Sequence, residues 1–119
     1  MPPHPHRVPM PGMAYRKLIH LERCPADQGC FVALDGHELA VFRLPGDGRI
    51  CVTDNTCPHA NGNLSGGKLD GCIVTCPWHD WPFDVTTGRC THSASPAKIN
   101  CYPVKTDDGI VHVDLDAPF

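Results

Sequence analysis

The chain has 119 residues, a length that suits one domain and leaves no room for two. Hydrophobic residues make up 41% of it, and no apolar run approaches the length of a membrane span. The net charge is −3, which argues against the basic surface that a nucleic-acid or anionic-membrane partner requires.

The N-terminal residues 1–13 contain five prolines and no apolar periodicity. We therefore expect a disordered arm there, followed by one domain over residues 14–119. The arm lacks the apolar stretch of a secretory signal, so we expect a cytoplasmic protein. In that reducing compartment, cysteines serve as metal ligands or buried thiols rather than disulfides, and this chain has eight.

Short β-strands separated by turns account for the rest of the chain. Asp35-Gly36 and Asp108-Gly109 are hairpin signals, and the Pro45-Gly46-Asp47-Gly48 cluster is typical of a turn. No window shows a helical stripe, and only residues 24–28 could form a single helical turn. The pattern predicts an all-β fold, an antiparallel sandwich or barrel. The predicted strands are residues 15–20, 31–34, 38–44, 49–53, 71–75, 82–85, 98–106 and 110–115.

Two loop motifs each offer one cysteine and one histidine. Cys57-Pro58-His59 precedes Cys76-Pro77-Trp78-His79 by sixteen residues, and each follows a predicted strand. In extended backbone, residues two apart point the same way, and a tight turn does the same for residues three apart. Two thiolates and two imidazoles are ligands for either zinc or an iron–sulfur cluster. The one-residue gap in the first motif is unusual for structural zinc and favours the wider dinuclear cluster.

Longer stretches around both motifs resemble the loops of the Rieske family. The resemblance includes the turn at Thr86-Thr87-Gly88 and a third loop at Ser95-Pro96-Ala97. One departure is Asp80, where that family commonly has glycine. The resembling stretches are Asp54-Asn55-Thr56-Cys57-Pro58-His59, Leu64-Ser65-Gly66-Gly67 and Cys76-Pro77-Trp78-His79-Asp80-Trp81-Pro82-Phe83-Asp84.

The resemblance implies a Rieske-type antiparallel β fold with a small two-loop cluster-binding region over about residues 54–97. It implies one [2Fe–2S] cluster, with Cys57 and Cys76 on one iron and His59 and His79 on the other. Rieske proteins of cytochrome complexes carry a disulfide between the two loops, and those positions here are Gly62 and Trp78.

A low reduction potential is also expected. High-potential relatives place hydroxyl donors two and four residues after the second histidine, where this chain has Trp81 and Phe83. With fewer donors to stabilise the reduced cluster, the potential should lie near the low end of the Rieske range, about −150 mV.

The resemblance implies a soluble one-electron carrier, a ferredoxin that passes electrons from a reductase to a terminal oxygenase. The small subunit of an assimilatory NAD(P)H-nitrite reductase is an alternative, and a zinc-binding structural or interaction module is an alternative of another class. The chain has no room for a separate oxygenase iron domain, so we expect an electron-transfer component rather than an enzyme on its own.

The remaining cysteines and histidines have structural interpretations. Cys51, Cys72 and Cys101 fall in predicted strands, where a cysteine is a small buried hydrophobe. Trp78 and Trp81 are expected to shield the metal centre. The other histidines, at positions 20, 37, 92 and 112, are expected to lie on the surface or in the core.

Overall fold

The computed structural model describes residues 15–46, 48–58, 62–78, 80–92 and 96–119. Within them lie ten strands and two single 3₁₀ turns, at Leu21–Arg23 and Leu64–Gly66. The strands are β1 (Arg16–His20), β2 (Gly29–Leu34), β3 (His37–Arg43), β4 (Ile50–Asp54), β5 (Lys68–Asp70), β6 (Ile73–Thr75), β7 (Pro82–Asp84), β8 (Cys101–Tyr102), β9 (Val104–Asp107) and β10 (Ile110–Val113).

A four-stranded antiparallel sheet in the order β2-β3-β4-β8 forms the centre of the fold. Its β3 strand is apolar on both faces, because Leu39 and Val41 point to one side while Ala40 and Phe42 point to the other. All four side chains are fully buried. The sheet therefore separates two hydrophobic cores.

A three-stranded antiparallel sheet in the order β1-β10-β9 contributes to the first core. Val113 packs there with Leu39 and Val41, and Cys24 closes the same core. The second core lies under a β5-β6-β7 meander, whose Leu69, Val74 and Phe83 join Ala40 and Phe42. This meander carries the loops of interest, so they are built directly on the second core.

The prediction of an antiparallel all-β fold is confirmed. Both Asp-Gly hairpin signals are confirmed as well: φ is +50° and +83° at Asp35 and Gly36, and +53° and +74° at Asp108 and Gly109. Positive φ at both central residues is the type I′ geometry that matches strand twist. Among the described residues, no helix is long and apolar enough to span a membrane.

The structure differs from the predicted elements in three places. Residues 98–106 do not form one strand, because β8 and β9 belong to different sheets and Pro103 between them cannot donate a ladder hydrogen bond. The predicted turn at 24–28 is wrong, and the 3₁₀ turn precedes it at Leu21–Arg23. The β5 strand was not predicted, since only one of its three residues is apolar. The predicted arm, residues 1–13, lies outside the described residues.

Candidate metal centre

The first loop, residues 55–67, connects β4 to β5 and is fixed at its base by Asn55. The backbone N–H of Asn55 donates to the Glu38 carbonyl at 3.0 Å, and its carbonyl accepts from the Leu64 N–H at 2.7 Å. Its side-chain Oδ1 accepts from the Ser65 N–H at 2.9 Å, and its Nδ2 donates to Asn63 Oδ1 at 3.0 Å. The side chain is almost fully buried, so one residue joins both ends of the loop and the neighbouring strand.

The second loop, residues 76–81, connects β6 to β7. It closes through the Cys76 N–H, which donates to the Trp81 carbonyl at 2.8 Å. The Trp78 N–H lies 3.4 Å from Cys76 Sγ and donates to it. Asp80 has φ of +56°, the left-handed region that favours glycine. The turn thus requires the conformation for which glycine is the ordinary residue, and Asp80 adopts it.

The structure brings the two predicted cysteine ligands together. Cys57 and Cys76 come from different loops, both are completely buried, and both belong to the second core. Burial raises the pKa of Cys76, the Trp78 N–H opposes that rise, and the neighbouring Cys57 and Asp80 add to it. A buried thiol pair with a raised pKa is inert as a nucleophile, but a cation bound there would stabilise both thiolates.

A third segment packs beside the second loop through its described residues 90–92, 96 and 97. The Cys90 N–H donates to the Ala97 carbonyl at 3.1 Å. The His92 imidazole stacks on the Trp81 indole, with ring centroids 4.9 Å apart and planes at 27°. Trp81 and Ala97 also pack against the second core. The expected shielding role of the tryptophans differs between the two, because Trp81 is half-buried whereas Trp78 is 59% exposed.

The sequence pattern of the Rieske [2Fe–2S] domain matches residues 15–103, well over half of the chain. This chain belongs to the Rieske family. The expected resemblance is thereby confirmed, and so is the expected cofactor, a Rieske-type [2Fe–2S] cluster. The choice between zinc and an iron–sulfur cluster that the spacing left open is decided for the cluster.

Several known ferredoxins resemble this chain over most of their length. The ferredoxin component of the naphthalene 1,2-dioxygenase system of Pseudomonas aeruginosa is 39% identical over 97 residues, covering 82% of this chain and 91% of that protein. The ferredoxin of Sphingomonas yanoikuyae B1 has a TM-score of 0.77 at 34% identity, over 84% of this chain and 97% of that one. A chain from a complex of reduced oxygenase and oxidised ferredoxin in carbazole 1,9a-dioxygenase has a TM-score of 0.75 at 28% identity, over 85% of this chain and 93% of that one.

The described residues fit a Rieske cluster. Two soft sulfur donors from two loops meet in a site closed to water, and a backbone N–H already points at one sulfur. The other two predicted ligands, His59 and His79, lie outside the described residues, as does Ser95 of the third loop. Within the described part of the chain, no group of three or more His, Cys, Asp or Glu side chains could hold a metal ion.

The other cysteines of this Rieske protein are placed largely as expected. Cys51 and Cys101 are buried in β4 and β8, and burial raises the pKa of Cys101 to about 11. The prediction for Cys72 is wrong, because it lies half-buried in the turn between β5 and β6 rather than in a strand. Sequence reasoning missed the roles of Asn55 and Gly62. For Asn55, the available signal was its position two residues before Cys57, inside the Asp54–His59 stretch that resembles the Rieske family.

Proposed function

We propose that this Rieske protein passes single electrons from a reductase to a terminal oxygenase, and that Cys57, His59, Cys76 and His79 hold its cluster. The observation that carries the ligand assignment is that Cys57 and Cys76, from two different loops, are both fully buried in the same core. Each of these cysteines is followed by a histidine two or three residues later, so both histidines start from loops that are fixed at the same point.

The chain's residues control what the cluster does. When bound, the cluster stores and releases one electron, and histidine ligation eases its reduction relative to an all-cysteine cluster. The β5-β6-β7 meander and the second core hold the two cysteines, so little rearrangement is needed when the electron arrives. The burial of both thiol positions excludes water from the sulfur side of the site.

We expect the potential to be low for a Rieske protein. Trp81 packs on His92 and Phe83 is fully buried in the second core, and neither side chain has a hydroxyl to donate to sulfur. The Trp78 N–H is a donor to Cys76 Sγ, but a backbone donor does not replace the missing hydroxyls. A midpoint near −150 mV is therefore expected, and one above about +150 mV would contradict the argument.

The proposed partners follow from the relatives. The ferredoxin components resembling this chain belong to dioxygenase systems, and one structural neighbour is in complex with its oxygenase. The proposal places the protein in the cytoplasm, with residues 14–119 as the Rieske domain, about 54–97 as the cluster-binding region and 1–13 as an arm. The chain alone transfers electrons and transforms no substrate.

Metal analysis of ligand variants tests the ligand assignment. Wild-type protein prepared anaerobically should contain about two irons and two acid-labile sulfides per chain. Cys57→Ser should abolish or severely destabilise the cluster, since a hydroxyl is a poor ligand to this iron. Cys101→Ser is the matched control, because Cys101 is equally buried but donates to the Val85 carbonyl instead. One zinc and no sulfide in the wild type, or equal cluster content in both variants, would contradict the proposal.

Reconstitution tests the partner. With a reductase and a dioxygenase terminal component, the holoprotein should support substrate oxidation, and omission of any component should stop it. Turnover with a nitrite reductase large subunit and none with an oxygenase would instead assign the protein to nitrite reduction.

A further inference from the structure

Gly62 lies where the first loop approaches the second most closely. A Cβ atom built on Gly62 would lie 2.6 Å from Cys76 Sγ and 2.7 Å from Cδ1 of the Trp78 indole. Both distances are shorter than van der Waals contact allows, so any other residue would displace the thiol or the ring. The φ of Gly62 is not in the left-handed region, so the position needs glycine for space and not for conformation.

Gly62 also contacts the other thiol residue through its backbone. Its carbonyl accepts a hydrogen bond from the Cys57 N–H at 2.9 Å, which closes the turn of the first loop. Its α-carbon lies against Cys76 and Trp78 of the second loop. One residue therefore links Cys57 and Cys76, from one side by a hydrogen bond and from the other by packing.

Trp78 makes the matching contacts from the second loop. Its N–H donates to Cys76 Sγ, and one edge of its ring lies on the Gly62 α-carbon. The ring is otherwise open to solvent, with 59% of the residue exposed. Because a tryptophan contributes about 200 Å² of apolar surface when buried, even its covered fraction is a substantial contact.

We propose that Gly62 and Trp78 form a clasp between the two loops and are positioning residues for Cys76. The clasp is the contact of the Trp78 ring with the Gly62 α-carbon, and it holds the Cys76 thiol against Cys57. The proposal rests on the assignment of both cysteines as cluster ligands. Without the clasp, the second loop keeps its own closing hydrogen bond between Cys76 and Trp81 but loses this contact with the first loop.

The experiment compares cluster loss in the holoprotein variants Trp78→Ala, Trp78→Phe and Gly62→Ala with the wild type. Bleaching of the visible absorption is followed in excess iron chelator, and EPR g-values are recorded for the reduced protein. Trp78→Ala should lose the cluster about tenfold faster, which corresponds to about 1.4 kcal/mol, and should shift the g-values. Trp78→Phe keeps a ring over Gly62 and should stay within about threefold of the wild type.

Two matched controls separate the clasp from general effects of the substitutions. Phe31 is a comparably exposed aromatic residue on β2, at 50%, and Phe31→Ala should leave the bleaching rate and the g-values unchanged. Gly66 lies in the same loop as Gly62, but a Cβ there meets nothing within 4 Å, so Gly66→Ala should be silent where Gly62→Ala is not. If Gly62→Ala fails to fold, the bleaching rates of Trp78→Ala and Trp78→Phe still test the clasp.

The outcomes distinguish this inference from the proposed function. A wild type with two irons and two sulfides, together with Trp78→Ala that bleaches no faster than Phe31→Ala, would overturn the clasp and leave the cluster assignment intact. A Trp78→Ala protein with unchanged bleaching but slower electron exchange would overturn it as well, since the ring would then serve docking. A wild type without iron and sulfide would instead refute the ligand assignment.

Discussion

Asn55 is expected to be a sensitive non-ligand residue of the first loop. Its side chain makes two hydrogen bonds, to the Ser65 N–H and to Asn63, and it is 1% exposed. Replacement by alanine removes both bonds while the backbone bonds to Glu38 and Leu64 remain possible. The loop base should loosen at the point where the chain turns towards Cys57.

The loss of stability in Asn55→Ala depends on whether each former hydrogen-bond partner can bond to water instead. The amide of Asn63 is exposed and recovers water, so its bond contributes only about 1 kcal/mol. The Ser65 N–H is half-buried and is left without its acceptor, which costs about 1–2 kcal/mol. The sum is about 2–3 kcal/mol of the free energy of unfolding. For a chain of this length, that lowers the thermal transition by about 10 °C.

Thermal denaturation of the holoprotein at one fixed scan rate measures this effect, with circular dichroism for the fold and visible absorption for the cluster. Asn63→Ala is the matched control, because it removes only the exposed partner and should lower the transition by less than about 4 °C. Asn55→Asp keeps an acceptor for Ser65 and should fall between the two. Equal transitions for Asn55→Ala and Asn63→Ala would refute the reasoning that the buried amide fixes the loop.

Two further predictions concern the strands behind the site. The Tyr102 hydroxyl donates to Asp54 at 2.7 Å, and burial together with that carboxylate raises the tyrosine pKa above its usual range. The stabilisation that results is complete below pH 10 and is lost as the pH rises further. Between pH 9 and pH 11, urea titrations should therefore show a smaller loss of stability for Tyr102→Phe than for the wild type. Gly88→Ala should lower the free energy of unfolding by more than about 2 kcal/mol in the same titration, since φ is +81° and a Cβ would lie 2.1 Å from the Ile99 carbonyl oxygen. Gly71→Ala is the control, because Gly71 has φ of +61° but lies in open space, and it should lower that free energy by only about 1 kcal/mol. Similar losses of stability in both variants would contradict the predicted clash at Gly88.

Much of the fold could be predicted because its signals are local. Alternating apolar residues and Asp-Gly turns are short-range features, and they located seven strands and both hairpins to within a few residues. The split at Pro103 could have been predicted from its missing N–H. The β5 strand could not, since one buried leucine in three residues carries no periodicity and its pairing with β6 is fixed by the core beneath it.

The site divides in the same way. The two Cys-x-His and Cys-x-x-His spacings are local patterns, so the sequence pointed to Cys57 and Cys76 directly. The roles of Asn55 and Gly62 depend on contacts formed only when the chain is folded, across ten residues in one case and between two loops in the other. From sequence, a glycine in a loop is interpreted as a turn residue. Nothing in the sequence distinguishes a glycine, such as Gly62, that is needed because two loops approach each other closely.

The negative charge of Asp80 predicts the sign of the charge on a partner that docks at the second loop. This carboxylate is exposed at the end of the second loop and close enough to raise the pKa of Cys76, so its charge acts at the site. The chain as a whole carries −3, and a transient redox partner is steered by complementary charge, so we expect a basic partner surface. Asp80→Lys should then slow reduction by the native reductase severalfold at low ionic strength.

A change at Asp80 also alters the cluster's potential, so the rate at one salt concentration does not isolate docking. Steering is screened as the Debye length falls from about 10 Å at 0.1 M to about 3 Å at 1 M salt, whereas a changed driving force at this short range persists much more. The docking contribution is therefore the part of the Asp80→Lys defect that disappears at high salt. Asp107→Lys makes the same change of net charge on exposed β9, in the β1-β10-β9 sheet, and should show little salt-dependent defect. Equal salt-dependent defects in the two variants would mean that the partner responds to net charge and does not dock at the second loop.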